Sequence, residues 1–242
     1  REGVDIVFAM DVSKSMLAED IAPNRLDKSK QIVNQIINSL ASDRIGIIAY
    51  AGSAFPQLPI TTDYSSAKLF LQALNTNMVS SQGTAIGEAI QLAQSYYPEN
   101  SKTSKVLIIL SDGENHDHQI NEILADAKEN ELTVITIGVG TLKGSTIPIK
   151  ENGRVKQYKK DKNGETVITR LDPSTLKQIA SATNGTYIDG TNTQQVITQV
   201  SEALSKIEKT EFETKQYASY KDQFQRFIGL ALLLVILELL VR

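Results

Sequence analysis

Residues 4–15 read Val4-Asp5-Ile6-Val7-Phe8-Ala9-Met10-Asp11-Val12-Ser13-Lys14-Ser15. The run up to Met10 is almost continuously apolar, which is typical of a strand buried on both faces of a parallel sheet. A carboxylate, Asp11, and two hydroxyls, Ser13 and Ser15, therefore follow at the carboxyl end of a core strand. Ligands of open α/β sheets bind at that edge. This stretch predicts both a fold class and the position of a site.

Strand-like and helix-like segments alternate along the rest of the chain, as in a mostly parallel sheet with helices on both faces. Further strands are expected at residues 45–50, 54–60, 106–110, 133–139 and 186–188. The first two of these are separated only by Ala51-Gly52-Ser53, so they should pair antiparallel. Pro56 and Pro59 suit a strand at the sheet edge. We predict a doubly wound, Rossmann-like α/β fold, a mostly parallel six-stranded sheet with one antiparallel edge strand.

The length of 242 residues is enough for one large α/β domain with appendages, which we place at residues 1–209. Within it, residues 141–170 break into short β-like pieces with turn signals at Asn152-Gly153 and Asn163-Gly164. We interpret this segment as a β-hairpin insertion and not as a second domain. Residues 210–226 are charged and aromatic and are predicted to be a linker.

Residues 227–242 form an apolar tail. About 15 helical residues reach roughly 22 Å, which is short of the ~30 Å hydrocarbon core of a bilayer. Apolar residues lie all round this helix, which favours a truncated transmembrane helix over an amphipathic or core helix. Because residue 1 is Arg and not Met, we expect the chain to be processed or to be a piece of a longer protein.

Composition excludes several classes of function. A net charge of -3 provides no electrostatic footprint for nucleic acid. The chain has no cysteine, which excludes disulfides, thiolate catalysis and zinc–cysteine sites.

Two later segments supply oxygens that match those of the opening stretch. Thr84 lies in Gln82-Gly83-Thr84-Ala85, and Asp112 lies in Leu110-Ser111-Asp112-Gly113-Glu114. Oxygen ligands in near-octahedral geometry suit Mg²⁺. Three hydroxyls and two carboxylates leave one coordination position free, which a carboxylate from outside could fill. The alternative is that these residues are ordinary caps at strand-to-helix junctions.

The pattern Asp-x-Ser-x-Ser, a later Gly-Thr and a strand ending in Ser-Asp-Gly resembles the metal-ion-dependent adhesion site of a von Willebrand factor type A (VWA) domain. The resemblance covers about residues 3–209. It implies Ser13, Ser15 and Thr84 as hydroxyl ligands and Asp11 and Asp112 as acidic ligands. It also implies Mg²⁺ as the cation, with Mn²⁺ or Ca²⁺ as alternatives, and a protein partner that offers an Asp or Glu carboxylate.

Lys14, Ser80 and Glu114 are expected to form the partner-binding rim of this site. Many VWA domains have Gly at the position of Lys14, and an ammonium group there could weaken cation binding or recruit an acidic partner. The insertion carries a lysine-rich stretch with Lys156, Lys159, Lys160 and Lys162. These lysines are either a second contact surface for an acidic partner or a solvated face.

A narrower resemblance is to the bacterial Bat-type (BatA/BatB, aerotolerance-related) membrane proteins. It is carried by residues 11–26, Asp43-Arg44-Ile45-Gly46, residues 136–141, the hairpin and the apolar tail. It implies a domain anchored in the bacterial inner (cytoplasmic) membrane and facing the periplasm, with a membrane segment before Arg1. It also implies other Bat-type proteins and a MoxR-type ATPase as partners, and a non-enzymatic role in assembly or stress tolerance of the envelope.

The alternative function is a metal-dependent phosphoryl-transfer enzyme of haloacid-dehalogenase type, with Asp11 as nucleophile. Such enzymes need a second Asp two residues later as general acid. Ser13 occupies that position and does not titrate at neutral pH, so we favour the adhesion site.

Overall fold

The structure is a computed structural model and describes residues 3–79, 83–98, 103–114 and 120–221, with side chains up to residue 207. The chain divides into two compact units, Arg1–Leu204 and Ser205–Arg242. All of the sheets lie in the first unit.

The described residues contain ten strands: β1 Asp5–Asp11, β2 Arg44–Tyr50, β3 Ala54–Thr61, β4 Lys105–Ser111, β5 Leu132–Gly138, β6 Ser145–Thr146, β7 Pro148–Glu151, β8 Arg154–Tyr158, β9 Ile168–Thr169 and β10 Tyr187–Asp189. Six of them form the main sheet in the order β10-β5-β4-β1-β2-β3. All neighbours in it are parallel except β2 and β3, which are antiparallel. The predicted fold class is confirmed, including the antiparallel edge strand.

The described residues also form six α-helices, of which the last follows the final strand: α1 Arg25–Ser39, α2 Tyr64–Ala73, α3 Ile86–Gln94, α4 Ile120–Glu129, α5 Pro173–Ala182 and α6 Thr193–Lys221. Side-chain caps fix several of the helix starts, and those of α1 and α5 are examples. Asn24 accepts a hydrogen bond from the amide of Asp27 at 2.8 Å, and Asp172 accepts one from the amide of Ser174 at 2.9 Å. Because a cap satisfies an amide that the helix leaves unpaired, each cap sets where its helix begins.

The two faces of β1 pack against different helices. Val7 and Ala9 belong to a buried cluster that includes Ile90 of α3 and Leu124 of α4. Successive strand residues point to opposite faces, so the equally buried Phe8 faces the other side. A strand covered on both faces is expected to be apolar throughout, as β1 is from Ile6 to Met10. Asp11 is the last residue of β1 and is fully buried.

The insertion forms two small antiparallel pairs. β6 pairs with β9, and β7 pairs with β8 through a turn at Asn152 and Gly153. Both turn residues have positive φ, 52° and 78°, as the tight hairpin turn of type I′ requires. The Asn-Gly pair therefore accounts for the turn of this hairpin.

The carboxyl-terminal predictions fall largely beyond the described structure. The segment predicted as a linker, 210–226, is helical as far as Lys221. The apolar tail at 227–242 lies outside the described residues. Within the described ranges, no helix combines the length and the apolar content needed to cross a bilayer.

Candidate metal centre

The carboxyl ends of β1 and β4 lie side by side in the sheet. Met10 pairs with Leu110 in the parallel register, so Asp11 and Ser111 follow at neighbouring positions. Asp112 comes directly after β4. The topology therefore brings the two predicted acidic residues to one edge of the sheet, where ligands of such folds bind.

The loop after β1 turns sharply and directs two hydroxyls at each other. A 3-10 turn, Lys14–Leu17, begins there, with the amide of Met16 donating to the carbonyl of Ser13 at 3.1 Å. The hydroxyls of Ser13 and Ser15 lie 2.9 Å apart. These two residues are 6% and 7% exposed, whereas Asp11 is fully buried. The two serines therefore retain slight access to solvent, and Asp11 has none.

Asp11 accepts hydrogen bonds on both carboxylate oxygens. Oδ1 accepts from the amide of Ser13 at 2.9 Å, and Oδ2 accepts from the hydroxyl of Ser111 at 2.7 Å. Burial and the nearby negative charge of Asp112 raise the pKa of Asp11 to about 7, against an ordinary value of 3.8. These two causes outweigh the hydrogen bonds, so the site disfavours a second negative charge unless a cation is present.

Asp112 has a positive partner that Asp11 lacks. Its Oδ2 accepts a 2.8 Å hydrogen bond from Nη1 of Arg25, and both side chains are fully buried in this ion pair. Burial raises the pKa of Asp112, the Ser15 hydroxyl and the Arg25 charge lower it, and the net direction is upward. The guanidinium thus offsets only part of the cost of burying this carboxylate.

Arg25 is the centre of a wider network. Its Nε and Nη2 donate to the two carboxylate oxygens of Asp20 at 2.9 and 2.8 Å, and Nη2 and Nη1 also donate to the carbonyl and hydroxyl of Thr169. Burial alone lowers the pKa of Arg25, but the hydrogen bond that it donates to Asp20 and the charge of Asp112 outweigh burial and raise it. The guanidinium is therefore permanently charged, and its rigid fork of N–H donors is held by these acceptors.

Both ends of the insertion are tied to this network. Thr141, near its start, donates to Asp20 through its amide at 2.8 Å and its hydroxyl at 3.0 Å. Thr169, near its end, donates its hydroxyl to Oε1 of Glu114 at 2.6 Å. A Cβ added to Gly140, whose φ is +144°, would lie 2.9 Å from Nε of Arg25. The insertion and the candidate metal centre therefore share one buried hydrogen-bond network.

Gly113 is required where β4 ends. Its φ is +79°, and a Cβ there would lie 2.0 Å from the carbonyl oxygen of Asp172. The amide of Asp172 in turn donates to the carbonyl of Asp112 at 2.8 Å. This close backbone approach holds Asp112 against the segment that returns from the insertion.

Thr84 reaches the same edge through the loop before α3. The amide of Ala85 donates to the carbonyl of Ala51 at 2.6 Å, just after β2, and Tyr50 of β2 pairs with Asp11. Thr84 is 6% exposed, like the two serines. In the described ranges no hydrogen bond joins Thr84 to the other four predicted ligands. Its loop, not a direct bond, positions it.

The three predicted rim residues have different environments. Lys14 donates from Nζ to the side chains of Thr76 at 3.2 Å and Asn77 at 2.7 Å. Partial burial and the nearby charge of Lys159 lower the pKa of Lys14. Glu114 is half-buried and bonded to Thr169, and Ser80 lies outside the described residues.

The donor set fits a hard cation. No group of three or more His, Cys, Asp or Glu suited to a metal occurs in the described part of the chain, so a cation at this edge depends on hydroxyl oxygens. The two buried carboxylates repel each other, and Arg25 already shares its charge between two acids. The buried hydroxyl of Tyr50 also lacks a hydrogen-bond partner among the described residues. The oxygen ligands and the excess negative charge of this site suit Mg²⁺. A water bound to the ion could also satisfy the buried hydroxyl of Tyr50.

Four residues of this arrangement were not predicted from the sequence: Asp20, Arg25, Ser111 and Thr169. Ser111 had a signal, because it directly precedes Asp112 in the quoted motif. Arg25 had none, because an arginine in the first turn of a helix is normally solvated. Asp20 and Thr169 lie far from Asp112 in sequence, and only the folded chain brings them together.

The chain resembles proteins of known structure over most of its length. BatB from Bacteroides thetaiotaomicron is 38% identical, with a TM-score of 0.81 over 86% of this chain and 100% of that chain. An aerotolerance-related membrane protein from Bacteroides fragilis is 34% identical, with a TM-score of 0.80 over 84% of this chain and 100% of that chain. Proximal thread matrix protein 1 from the mussel byssus, solved with a zinc-occupied metal-ion-dependent adhesion site, is 18% identical with a TM-score of 0.57, which shows a shared fold alone.

The chain also resembles curated proteins by sequence. An uncharacterized protein of Borreliella burgdorferi is 27% identical over 97% of this chain and 67% of its own length. Bovine matrilin-1 is 28% identical over 81% of this chain, but the chain spans only 32% of that protein. The family model of the von Willebrand factor type A domain matches residues 5–203. The chain belongs to the von Willebrand factor type A domain family.

Proposed function

We propose that this domain binds a protein partner through a divalent cation, Mg²⁺ first and Mn²⁺ or Ca²⁺ as alternatives. Hydroxyls of Ser13, Ser15 and Thr84 would hold the ion, and Asp11 and Asp112 would balance its charge. The observation that carries the proposal is the fully buried carboxylate pair, which lies with the nearly buried hydroxyl residues Ser13, Ser15 and Thr84 at the carboxyl edge of a VWA sheet.

Some residues of the site would hold the cation, and others would orient the two carboxylates. A bound cation would supply a Lewis-acidic position for a partner's Asp or Glu carboxylate. Ser111 keeps Oδ2 of Asp11 oriented, and the amide of Ser13 keeps Oδ1 oriented. Arg25 and the amide of Glu114 would keep Asp112 oriented, because they donate to its Oδ2 at 2.8 Å and to its Oδ1 at 3.3 Å. Such prior ordering lowers the entropic cost of partner binding.

The setting of the domain is proposed from its relatives. The structural neighbours are BatB and an aerotolerance-related membrane protein, both more than 30% identical. We place this domain on the periplasmic side of the bacterial inner membrane, anchored by the apolar tail. Its role there would be assembly or stress tolerance of the envelope, with other Bat-type proteins and a MoxR-type ATPase as candidate partners.

The phosphoryl-transfer alternative gains no support from the site. A nucleophilic carboxylate needs an accessible oxygen, but Asp11 is fully buried and both of its oxygens accept hydrogen bonds. The hydroxyl of Ser13 lies against Ser15, and the neighbouring acid Asp112 is bonded to Arg25. We therefore propose a binding module and not an enzyme.

Calorimetric titration of the full chain with Mg²⁺, Mn²⁺ and Ca²⁺ tests the metal centre directly. Binding should be lost in Thr84→Val and kept in Thr183→Val, which removes an equally buried hydroxyl that bonds to the end of α5. Absence of cation binding by the unmodified chain would refute the proposal. Turnover of phosphate esters that disappears in Asp11→Asn would favour the enzyme.

A further inference from the structure

A groove of about 590 Å³ runs between the insertion and the helices next to the candidate metal centre. The turn after β1, the start of α1, the end of α2 and strand β7 form its walls. Its apolar lining consists of Leu17, Leu26, Leu74, Ile147, Pro148 and Ile149. We call this feature the insertion groove. Its lining suits an aliphatic side chain, because apolar walls with a few polar groups at the edge are typical of binding pockets.

One residue of the insertion groove adjoins the candidate metal centre in the chain. Lys14, one of its lining residues, lies between the two predicted ligands Ser13 and Ser15 in the chain. Its Nζ is held across the groove wall by Thr76 and Asn77. A partner segment whose carboxylate completed the cation's shell would therefore continue past Lys14 into the groove.

Two of the four lysines that line the groove are already neutralised. Lys150 pairs with Glu19 at 2.5 Å, and Lys30 pairs with Asp27 at 3.8 Å. Both carboxylates belong to the groove lining as well. These pairs leave no net charge on that part of the wall.

Lys14 and Lys159 are different, because neither has a carboxylate partner among the described residues. Both are half-buried, and they lie close enough to repel each other. Two ammonium groups that have no carboxylate partner in the described ranges, beside an apolar wall, make a site that is complementary to one carboxylate and a neighbouring aliphatic group. By contrast Lys156, on the same hairpin, pairs with Glu151 at 2.6 Å and does not line the groove.

We propose that the insertion groove receives a segment of the protein partner in which an acidic residue, paired with Lys14 and Lys159, adjoins an aliphatic side chain that enters the groove. This inference rests on the proposed function, since the same segment reaches the groove from the cation. The insertion would then form one wall of a peptide-binding groove, and of its lysine-rich stretch only Lys159 would contact the partner there.

Selection of a random peptide library on the full chain in Mg²⁺ tests this proposal without presupposing a partner. The selected peptides should be enriched in an Asp or Glu next to Leu, Ile or Val. Affinity of the selected peptides should fall about tenfold or more in Lys159→Glu, which corresponds to about 1.4 kcal/mol. The matched control Lys162→Glu makes the same charge change at an exposed position of the insertion outside the groove and should leave affinity unchanged.

A second pair of variants tests the apolar wall. Ile149→Thr, in the groove, should weaken the same peptides, and Val155→Thr should not, because Val155 is similarly exposed on the hairpin but does not line the groove. Exchange of the peptide's acidic residue for Lys should restore binding to Lys159→Glu. Enrichment of other compositions, or equal affinity for all four variants, would overturn the inference.

The same experiment separates the inference from the function on which it rests. Peptide binding that needs Mg²⁺ and Asp11 but ignores Lys159 and Ile149 would keep the metal centre and refute the groove. Binding that needs Lys159 but ignores Mg²⁺ and Asp11 would refute the metal-mediated function. A concentration-dependent dimer that is lost in Lys159→Glu, seen by analytical ultracentrifugation, would replace the proposed partner by a second copy of the chain.

Discussion

The ends of β1 and β4 meet at one edge of the sheet, but they hold their carboxylates in opposite ways. Asp11, after β1, is surrounded by neutral donors, an amide and the hydroxyl of Ser111. Asp112, after β4, is held by the permanent positive charge of Arg25. One acid is compensated by the fold, and the other is left to be compensated by something that binds.

This difference assigns different roles to the two carboxylates of the candidate metal centre: Asp112 contributes to stability through Arg25, and Asp11 attracts the cation. A site with two free buried carboxylates would repel itself strongly, and a site with both acids paired to arginine would have no need of a cation. Pairing only Asp112 keeps the folded chain stable while leaving charge at Asp11 for the ion. Variants that remove either the charge of Asp11 or the ion pair of Asp112 with Arg25 should therefore differ in stability and in cation affinity.

Arg25→Ala should lower the free energy of unfolding by about 3–5 kcal/mol, because it leaves Asp112 and Asp20 in the interior without their cation. Chemical denaturation monitored by circular dichroism measures the change. Arg44→Ala is the matched control: Arg44 makes a similar fork with Asp5, but its side chain is 41% exposed, so water can take its place and the loss should be smaller. Equal losses in the two variants would show that the buried network has no special role.

Asp11→Asn should weaken Mg²⁺ binding at least about 100-fold, or about 2.7 kcal/mol, because it removes the uncompensated charge that attracts the ion. In the absence of metal the same variant should be as stable as the native chain or more stable, whereas Asp112→Asn should be less stable because it breaks the pair with Arg25. Calorimetry and thermal unfolding provide the two measurements. The control Asp5→Asn, at the other end of β1 and just as buried, should bind Mg²⁺ normally.

The affinity for Mg²⁺ should rise about tenfold or more between about pH 5.5 and pH 8, since protons compete with the ion for Asp11. The sign follows from the raised pKa of about 7 in the folded protein, against 3.8 ordinarily. The folded state then holds this proton more tightly than the unfolded chain. Without metal, the contribution of Asp11 to the unfolding free energy therefore falls as pH rises from about 4 to about 7 and is constant above.

Isothermal titrations at several pH values, together with thermal unfolding of the metal-free chain, check both halves of this prediction. Asp5→Asn should keep the full pH dependence of Mg²⁺ affinity. A pH-independent affinity in the native chain would mean that the ion does not displace a proton from Asp11.

Thr169→Val should have the smallest effect, a loss of about 1 kcal/mol in the free energy of unfolding, because one buried hydroxyl that bridges Arg25 and Glu114 is removed. Thr183→Val serves as the control for loss of a buried hydroxyl away from the site, since its hydroxyl bonds to carbonyls of α5. If the network of Arg25 and Thr169 keeps Asp112 oriented for the cation, Thr169→Val should also weaken Mg²⁺ binding, and Thr183→Val should not. Unchanged Mg²⁺ affinity in Thr169→Val would separate the insertion from the metal centre.

Much of the architecture could be predicted from local pattern. The apolar run before Asp11, the short link between β2 and β3, the cap at Asn24 and the Asn152-Gly153 turn are each set by residues close in sequence. Such features follow from periodicity, capping and turn conformation, which do not depend on distant parts of the chain. The placement of Asp11 and Asp112 at one edge was also predictable, because parallel strands end on the same side of a sheet.

Local pattern could not predict that Arg25 pairs with Asp112 and not with Asp11. Arg25 is 87 positions from Asp112 and 144 from Thr169 in the chain, and no local pattern relates them. The insertion groove is likewise formed by residues from separate segments. Within the described ranges, Lys30 and Lys150 pair with Asp27 and Glu19, whereas Lys14 and Lys159 have no carboxylate partner, and only the fold decides this difference.

The fold, the strand ends and the candidate ligands Asp11, Ser13, Ser15, Thr84 and Asp112 follow from the order of residues alone, because hydrophobic period and strand direction specify where a strand ends and which edge it reaches. Only the folded chain shows that Arg25 pairs with Asp112, and which lysines of the described part of the chain have no carboxylate partner. Charge compensation depends on distance and burial between groups far apart in sequence, and those are properties of the tertiary structure.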